Sequence, residues 1–161
     1  MIGKTSIVNE DMKLELADDT RIGEFCNIDC VGLFIENGGE IRNFCEVEGV
    51  GDLRIGKNAV IQSHCTIMTS IDSPWGYMSH LVGEEVRSMR TGTVRICDDA
   101  CVMAHSVIWP GVVIGEGAVV GIGSLITEDV PSWTIQRNSR LRMVRTSRKT
   151  DFKTFEEEEL Y

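Results

Sequence analysis

A six-residue hydrophobic period limits the folds that this chain can adopt. The period is clearest from residue 96 to residue 131, which read in sixes as ICDDAC, VMAHSV, IWPGVV, IGEGAV, VGIGSL and ITEDVP. An α-helix repeats every 3.6 residues and a strand every two, so neither element by itself explains the pattern. A short strand followed by a tight turn does explain it, and repeats of that unit stack into a solenoid. The aliphatic residue that opens each unit should point inward: Ile96, Val102, Ile108, Ile114, Val120 and Ile126.

Three such units bring the chain back above its starting point, so about 18 residues should form one triangular coil. Coils then stack at the ordinary strand spacing of about 4.8 Å. The residue two before each of the last five inward positions is small or β-branched, which suits the bend of the wall: Ala100, Ser106, Val112, Ala118 and Ser124.

The same period extends toward the N-terminus, with two irregular steps. The inward positions there are Leu16, Ile22, Ile28, Ile35, Ile41, Val47, Ile55, Ile61 and Ile67. The steps from Ile28 to Ile35 and from Val47 to Ile55 are longer than six residues. We expect the added residues at turns, because an addition inside a strand would reverse its two faces. Residues 1–15 show no clear pattern and are expected to cap the open end of the solenoid.

The period breaks at residues 71–93, IDSPWGYMSHLVGEEVRSMRTGT. Long loops in compact domains are usually functional or disordered, and the apolar Trp75 and Tyr77 favour a loop that docks on the protein. If this loop leaves and rejoins the solenoid at one corner, Val102 stacks on Ile61. His105 then stacks on His64, and solvent-facing turn residues are the simplest interpretation of this histidine pair.

The segment from Val94 to Pro131, with its block WPGVVIGEGAVVG, resembles the hexapeptide-repeat acyltransferases, most closely the galactoside and lipopolysaccharide types of sugar acetyltransferase. The resemblance implies an all-β fold, a left-handed parallel β-helix of about five coils with one protruding loop (about 71–93) and a short C-terminal extension. It also supplies the hand, since parallel crossovers are otherwise nearly always right-handed. The resulting plan is a single domain, 1–161: a cap at 1–15, coils at 16–131, and a last strand, basic segment and acidic tail at 132–161.

The resemblance further implies acetyl-CoA as acyl donor, a hydroxyl or amine of a sugar or nucleotide sugar as acceptor, and a homotrimer. Trp109 follows the inward Ile108 and should therefore point outward, where a large aromatic often marks a contact surface. The acceptor itself is not determined by the sequence, because fold resemblance does not transfer that choice.

Charge and composition exclude several other classes. The formal net charge of −9 argues against nucleic acid as a partner. The sequence has no apolar run long enough for a membrane span and no signal-peptide pattern, so a cytoplasmic protein is expected. Cys26, Cys45 and Cys65 each lie two before an inward aliphatic and should pack as small apolar residues. The six cysteines lack the usual zinc spacings, so no metal site is predicted.

The catalytic residues show one departure from the family pattern. In the related enzymes a histidine just before the protruding loop acts as the base, and Ser70 stands at that place here. Serine cannot accept a proton near neutral pH by itself. We therefore predict His80, on the loop, as general base, Asp72 as its orienting carboxylate, and Ser70 as a hydrogen-bond partner.

The coenzyme A contacts implied by the resemblance are Ala104, Ile122, Thr127, Arg142 and Arg145. The two arginines belong to a basic segment that stands out in an acidic protein: Arg137, Arg140, Arg142, Arg145, Arg148 and Lys149. Guanidinium groups bind phosphate through paired hydrogen bonds, and coenzyme A carries three phosphates.

Two other functions occur to the same fold pattern. A carbonic anhydrase of this fold needs three histidines on one zinc ion, and the spacing of His64, His80 and His105 excludes it. A non-catalytic assembly or binding module remains the alternative, because the family's histidine is replaced at Ser70.

Overall fold

The computed structural model describes residues 1–72 and 88–137, together with the backbone of 140–143. These residues build three parallel sheets, which we name faces A, B and C in the order in which the chain crosses them. Face A holds β3 (Arg21–Ile22), β6 (Glu40–Ile41), β9 (Val60–Ile61), β14 (Cys101–Val102), β17 (Val119–Val120) and β19 (Thr134–Arg137). Face B holds β1 (Ile7–Val8), β4 (Asn27–Asp29), β7 (Glu46–Glu48), β10 (Thr66–Met68), β15 (Val107–Ile108) and β18 (Leu125–Ile126). Face C holds β2 (Lys13–Leu16), β5 (Gly32–Ile35), β8 (Asp52–Ile55), β13 (Val94–Ile96) and β16 (Val113–Ile114).

Three further strands lie outside this parallel arrangement. β11 (Ser70–Asp72) pairs antiparallel with β12 (Met89–Thr91). β20 (Arg140–Met143) pairs antiparallel with β19 and so covers the exposed edge of face A at the C-terminal end. Within the described ranges, no helix is long and apolar enough to cross a membrane.

The predicted fold, a left-handed parallel β-helix, is confirmed, with about six coils instead of five. The additional coil comes from the residues expected to form a cap. Ile2 bridges to Ile22 on face A, β1 pairs with β4 on face B, and β2 pairs with β5 on face C. Residues 1–15 therefore lie at the open end, as expected, but they do so as a further coil of the solenoid.

The inward aliphatic residues form the core in the predicted register. Ile61 pairs with Val102, and Ile55 pairs with Ile96 across the interruption by the loop. The side chains in these columns are almost entirely removed from solvent: Ile28, Ile41, Ile61, Val102, Ile108 and Ile126 each have a relative exposure of 0%. Complete burial of each such side chain contributes about 1.5–3 kcal/mol relative to exposure, so these columns supply most of the driving force for folding.

All three irregularities of the repeat fall on the edge between faces B and C. The two longer steps pass from β4 to β5 and from β7 to β8, and the loop leaves after β10 and returns to β13. Their placement in turns, as predicted, leaves the inward positions of every strand in phase. The B–C edge is therefore the one corner of the solenoid where the chain adds residues.

The buried thiols behave as the repeat predicts. Cys26, Cys45 and Cys65 are at most 2% exposed, and each Sγ donates to a carbonyl of the next coil: Arg42 O at 3.0 Å, Gln62 O at 3.1 Å and Met103 O at 3.3 Å. Ser106 occupies the same corner in a later coil and donates its Oγ proton to Gly121 O at 3.1 Å. The corner thus uses a small side chain with one weak donor. Cys30 is also buried, and its removal from water raises the pKa of its thiol to about 11.

Candidate functional site

The base of the protruding loop is a two-stranded ribbon at the B–C edge. Ser70 pairs with Thr91 and Asp72 pairs with Met89 across the β11–β12 ladder. Side chains alternate along a strand, so Ser70 and Asp72 share one face of the ribbon, and Ile71 lies on the other. The structure therefore brings together two of the three predicted catalytic residues. The third, His80, lies outside the described residues, as do Trp75 and Tyr77.

The hydroxyl of Ser70 is held by the backbone of the preceding coil. The backbone N–H of Val50 donates to Ser70 Oγ at 3.1 Å. Gly49 makes this close approach possible, because it has a φ of 115° and any Cβ there would clash with Ser70. Since Ser70 Oγ accepts from Val50, its own proton remains available for donation to a bound group.

The other face of the ribbon packs near Trp109, which changes one expectation. Arg90 lies over the Trp109 ring, with its guanidinium carbon 5.8 Å from the ring centroid. Trp109 is only partly exposed and packs against the hydrophobic core. Trp109 is therefore not the freely exposed aromatic that the sequence suggested as a marker of subunit contact.

Two of the implied coenzyme A contacts lie together on the A–B edge. Ala104 and Ile122 occupy equivalent positions in successive coils, and the N–H of Gly123 donates to Ala104 O at 2.9 Å. Ile122 is 53% exposed, so its side chain is available to a ligand. Thr127 follows β18 and lies on the B–C edge, on the other side of face B. The carried-over positions thus bracket the C-terminal end of face B.

The implied phosphate contacts are described only in part. The backbone of Arg142 pairs with Ile135 in the β19–β20 ladder, which brings the basic segment to the C-terminal end of face A. The side chain of Arg142 and the whole of Arg145 lie outside the described residues.

The two remaining histidines stack on the A–B edge, as the register argument predicted. The rings of His64 and His105 are 4.8 Å apart between centroids, with 6° between their planes. Both histidines are exposed, and both are separated from Ser70 and Asp72 by the width of face B. Sequence reasoning did not find that Phe25 and Phe44 continue this stack.

A groove of about 520 Å³ lies on face C and the adjoining C–A edge. Its lining includes Arg54 and Arg95 from neighbouring strands, and carboxylates from the edge, among them Asp98 and Glu116. The Arg54 guanidinium lies 4.0 Å from the centroid of Phe34 and pairs with Asp52 at 3.4 Å. The groove therefore combines both signs of charge, and none of the predicted site residues contributes to it.

The described residues contain no group of three or more His, Cys, Asp or Glu side chains arranged to hold a metal ion.

Sequence comparison relates the chain to sugar acetyltransferases. It is 29% identical over 126 residues to the dTDP-4-amino-4,6-dideoxy-D-glucose acyltransferase of Escherichia coli, a match that covers 76% of this chain and 66% of that protein. It is 30% identical over 94 residues to the galactoside O-acetyltransferase of Escherichia coli K12, with 56% of this chain and 42% of that protein covered. In both cases the chain spans slightly under two thirds, or less, of the relative's length. No family model matches the chain.

Comparison with solved structures supports the fold. AntD, an N-acyltransferase from Bacillus cereus, superposes with a TM-score of 0.72 at 24% identity, covering 92% of this chain and 83% of that one; its crystals contain dTDP-4-amino-4,6-dideoxyglucose and coenzyme A. A maltose O-acetyltransferase from Clostridium difficile superposes with a TM-score of 0.67 at 20% identity, covering 84% and 70%.

The coil geometry and these superpositions define the class, a hexapeptide-repeat protein with a left-handed β-helix. With the sequence relationships added, the chain belongs to the hexapeptide-repeat acyltransferase family, in the group that contains sugar acetyltransferases.

Proposed function

We propose that this protein transfers an acyl group, acetyl in the first instance, from coenzyme A to the amine of a nucleotide-linked amino sugar. One observation carries the proposal: the sequence and the fold comparisons independently lead to proteins of the same acceptor chemistry. The Escherichia coli relative is named for a dTDP-amino sugar, and AntD was crystallised with that sugar and coenzyme A. A hydroxyl acceptor, as in the galactoside enzyme, is the second form of the same reaction.

The proposed reaction uses the acceptor nitrogen as nucleophile. The amine attacks the thioester carbonyl, an N–C bond forms, and the C–S bond breaks with departure of the coenzyme A thiolate. The proton lost by nitrogen passes to a base and then to the departing thiolate, so the enzyme ends unchanged. We assign the base to His80, its orientation to Asp72, and a hydrogen bond to the reacting groups to Ser70.

The ribbon at the loop base supports part of this assignment. Ser70 and Asp72 share one face of the ribbon, and the Val50 N–H fixes the Ser70 hydroxyl. A hydroxyl proton held in a fixed position can stabilise the oxyanion of the tetrahedral intermediate, a task that does not require proton affinity. The replacement of the family's histidine at Ser70 is thus compatible with catalysis when another group takes the proton. The relatives, which are named as acyltransferases, do not favour a non-catalytic module.

We place the donor along the C-terminal coils, with Ala104, Ile122 and Thr127 beside the pantetheine arm and Arg142 and Arg145 at the phosphates. The exposure of Ile122 and the position of Arg142 on β20 support this placement. Acyl-CoA and nucleotide sugars are both cytoplasmic metabolites, so we also propose a cytoplasmic enzyme of cell-surface polysaccharide biosynthesis, such as that of lipopolysaccharide.

Replacement of Arg142 by alanine should weaken coenzyme A binding about 5- to 150-fold, because a charge-assisted hydrogen bond to phosphate contributes about 1–3 kcal/mol. Isothermal titration calorimetry measures the change. Arg21→Ala is the matched control, since it removes the same exposed charge from face A at the opposite end of the solenoid. Equal affinity in wild type and Arg142→Ala would remove Arg142 from the site.

We further propose a homotrimer, on the basis of the family. Multi-angle light scattering at micromolar concentration should give three times the chain mass of 17.9 kDa. A mass of one chain under those conditions would refute the trimer.

The direct test of function is acyl transfer itself. Acetyl-CoA is incubated with dTDP-4-amino-4,6-dideoxyglucose, with dTDP-glucose as the matched acceptor that lacks the amine, and with a galactoside. We expect an acetylated product with the amino sugar and none with dTDP-glucose. Transfer to the galactoside alone would assign O-acetylation, and transfer to none of a broad acceptor panel would favour a binding module.

A further inference from the structure

Four stacked rings run along the A–B edge, one in each of four successive coils. We call Phe25, Phe44, His64 and His105 the ring ladder. Adjacent centroids are 5.0, 4.9 and 4.8 Å apart, and adjacent planes differ by 7°, 5° and 6°. The spacing equals that of the coils, so each ring packs face to face on the ring below. The ladder is solvent-exposed, with Phe25 at 56% and Phe44 at 48%.

The ladder is built on an unfavourable backbone. Each of its residues has a positive φ, between 57° and 62°, which bulky side chains rarely adopt. The C–A edge has the same backbone conformation but fills it with residues that tolerate it, Asp19, Asn58 and Asp99. Backbone geometry therefore does not account for aromatic residues on the A–B edge. Stacking between rings offsets part of the strain, and strain of this kind concentrates at functional sites.

The fifth position of the ladder carries no ring. Gly123 takes the place above His105 and keeps the same backbone conformation, with a φ of 66°. Among the described residues, no atom lies within 4 Å of where a Cβ of Gly123 would be. By count along the chain, the following position is Ser139, which lies outside the described residues and has no ring. The outer face of the His105 ring is thus not covered by any aromatic side chain of the described chain.

The C–A edge shows what a ring does at such a glycine. Gly117 also has a positive φ, of 62°, and the indole of Trp133 from the next coil lies directly over it, so that a Cβ would clash with the ring. In that corner a planar aromatic group fills the space above a glycine of the same conformation. The corresponding space on the A–B edge has the same width.

The surroundings of Gly123 are apolar and open. Ile122 directly precedes it, and Leu125 follows two residues later on face B. The two side chains are 53% and 52% exposed, in the last coils of a protein whose other aliphatic residues there are buried. An aromatic platform with two exposed aliphatic side chains beside it suits a flat, weakly polar ligand.

We propose that the A–B edge at Gly123 is a subsite for a planar heterocyclic base, which stacks on His105 as the fifth ring of the ladder. The inference rests on the proposed function, because both substrates named there carry such a base. Adenine from coenzyme A and the pyrimidine of a nucleotide sugar share this chemistry. His105 is a positioning and binding residue in this role and takes no proton in the reaction.

Matched substitutions separate stacking from other roles of these residues. His105→Asn removes the ring but tolerates the positive φ, and His105→Phe restores a ring without nitrogen atoms. Gly123→Phe places a ring of the chain itself in the fifth position, as Phe25 and Phe44 do below. Gly123→Ala imposes the backbone strain without a ring. Affinities for coenzyme A, for 4′-phosphopantetheine, which lacks the adenosine portion, and for dTDP are measured by calorimetry on each variant.

We expect His105→Asn and Gly123→Phe to weaken binding of the base-bearing ligand about 5- to 150-fold, the range for one base stacked on an aromatic ring. His105→Phe and Gly123→Ala should bind nearly as the wild type does, and 4′-phosphopantetheine should be unaffected throughout. Loss confined to coenzyme A identifies adenine as the occupant, and loss confined to dTDP identifies the pyrimidine of the acceptor.

The inference and the proposed function can fail separately. If the wild type binds coenzyme A and dTDP and neither His105→Asn nor Gly123→Phe changes either affinity, the subsite is refuted and the function stands. If these variants lose dTDP affinity but the wild type transfers no acyl group to any acceptor, the subsite stands and the function is wrong. If the wild type binds neither ligand, both are wrong.

Discussion

Replacement of His80 by alanine should lower kcat for acyl transfer about 10²- to 10⁴-fold, the usual contribution of a positioned general base. The measurement is made with both substrates saturating, so that effects on binding do not enter. The prediction assigns the proton of the acceptor amine to an imidazole on the loop. The two predicted residues that share the ribbon face at the loop base, Ser70 and Asp72, support placing the chemistry there.

The controls come from the ring ladder. His64→Ala and His105→Ala remove imidazoles on the A–B edge, on the far side of face B from Ser70 and Asp72. They should leave kcat near the wild-type value, while His105→Ala raises the KM of a base-bearing substrate. A wild-type kcat in His80→Ala, together with loss in either ladder variant, would move the base to the coils. A wild-type kcat in all three variants would mean that no histidine is the base.

Replacement of Ile126 by aspartate should unfold the protein. Ile126 is fully buried on face B, and loss of such a side chain alone costs about 2–5 kcal/mol. An unpaired carboxylate in its place adds a desolvation cost of several kcal/mol more. The sum reaches the whole stability of a typical domain, about 5–15 kcal/mol. Circular dichroism should show loss of the strand signal at room temperature.

Leu125→Asp is the matched control, because it makes a similar change one residue away on the outward side of the same strand. Leu125 is 52% exposed, so the new carboxylate stays hydrated and the protein should keep its fold. If both variants unfold equally, the inward and outward assignment along β18 is wrong. If Ile126→Asp keeps the wild-type melting temperature, the solenoid core does not extend to this coil.

Much of the fold follows from the positions of a few aliphatic residues. A period of six requires strand and turn in each unit, so the period alone places Ile61, Val102 and Ile108 inside the coil. The location of the loop and the stacking of His64 on His105 follow from the same count. The hand of the coil comes from resemblance to a family, because periodicity alone favours the opposite hand.

The candidate site is less accessible from sequence. Ser70 and Asp72 can be named from the chain, but their common face requires the antiparallel pairing of β11 with β12. The outward direction of Trp109 is predicted correctly, but its cover by Arg90 depends on where the returning strand of the loop lies. A contact of this kind joins residues that no local pattern connects.

The sequence by itself determined which residues face inward, since that depends only on alternation within each strand and on turns that preserve it. The tertiary structure alone decided which residues lie above one another on the outer edges. The rings of the ladder are 19, 20 and 41 residues apart along the chain, because each interval includes a different addition at the B–C edge. Unequal spacing hides Phe25, Phe44, His64, His105 and Gly123 from any periodic search. Stacking at the coil spacing brings them into a single column, because the additions bulge outward at one corner and leave the height of each coil unchanged.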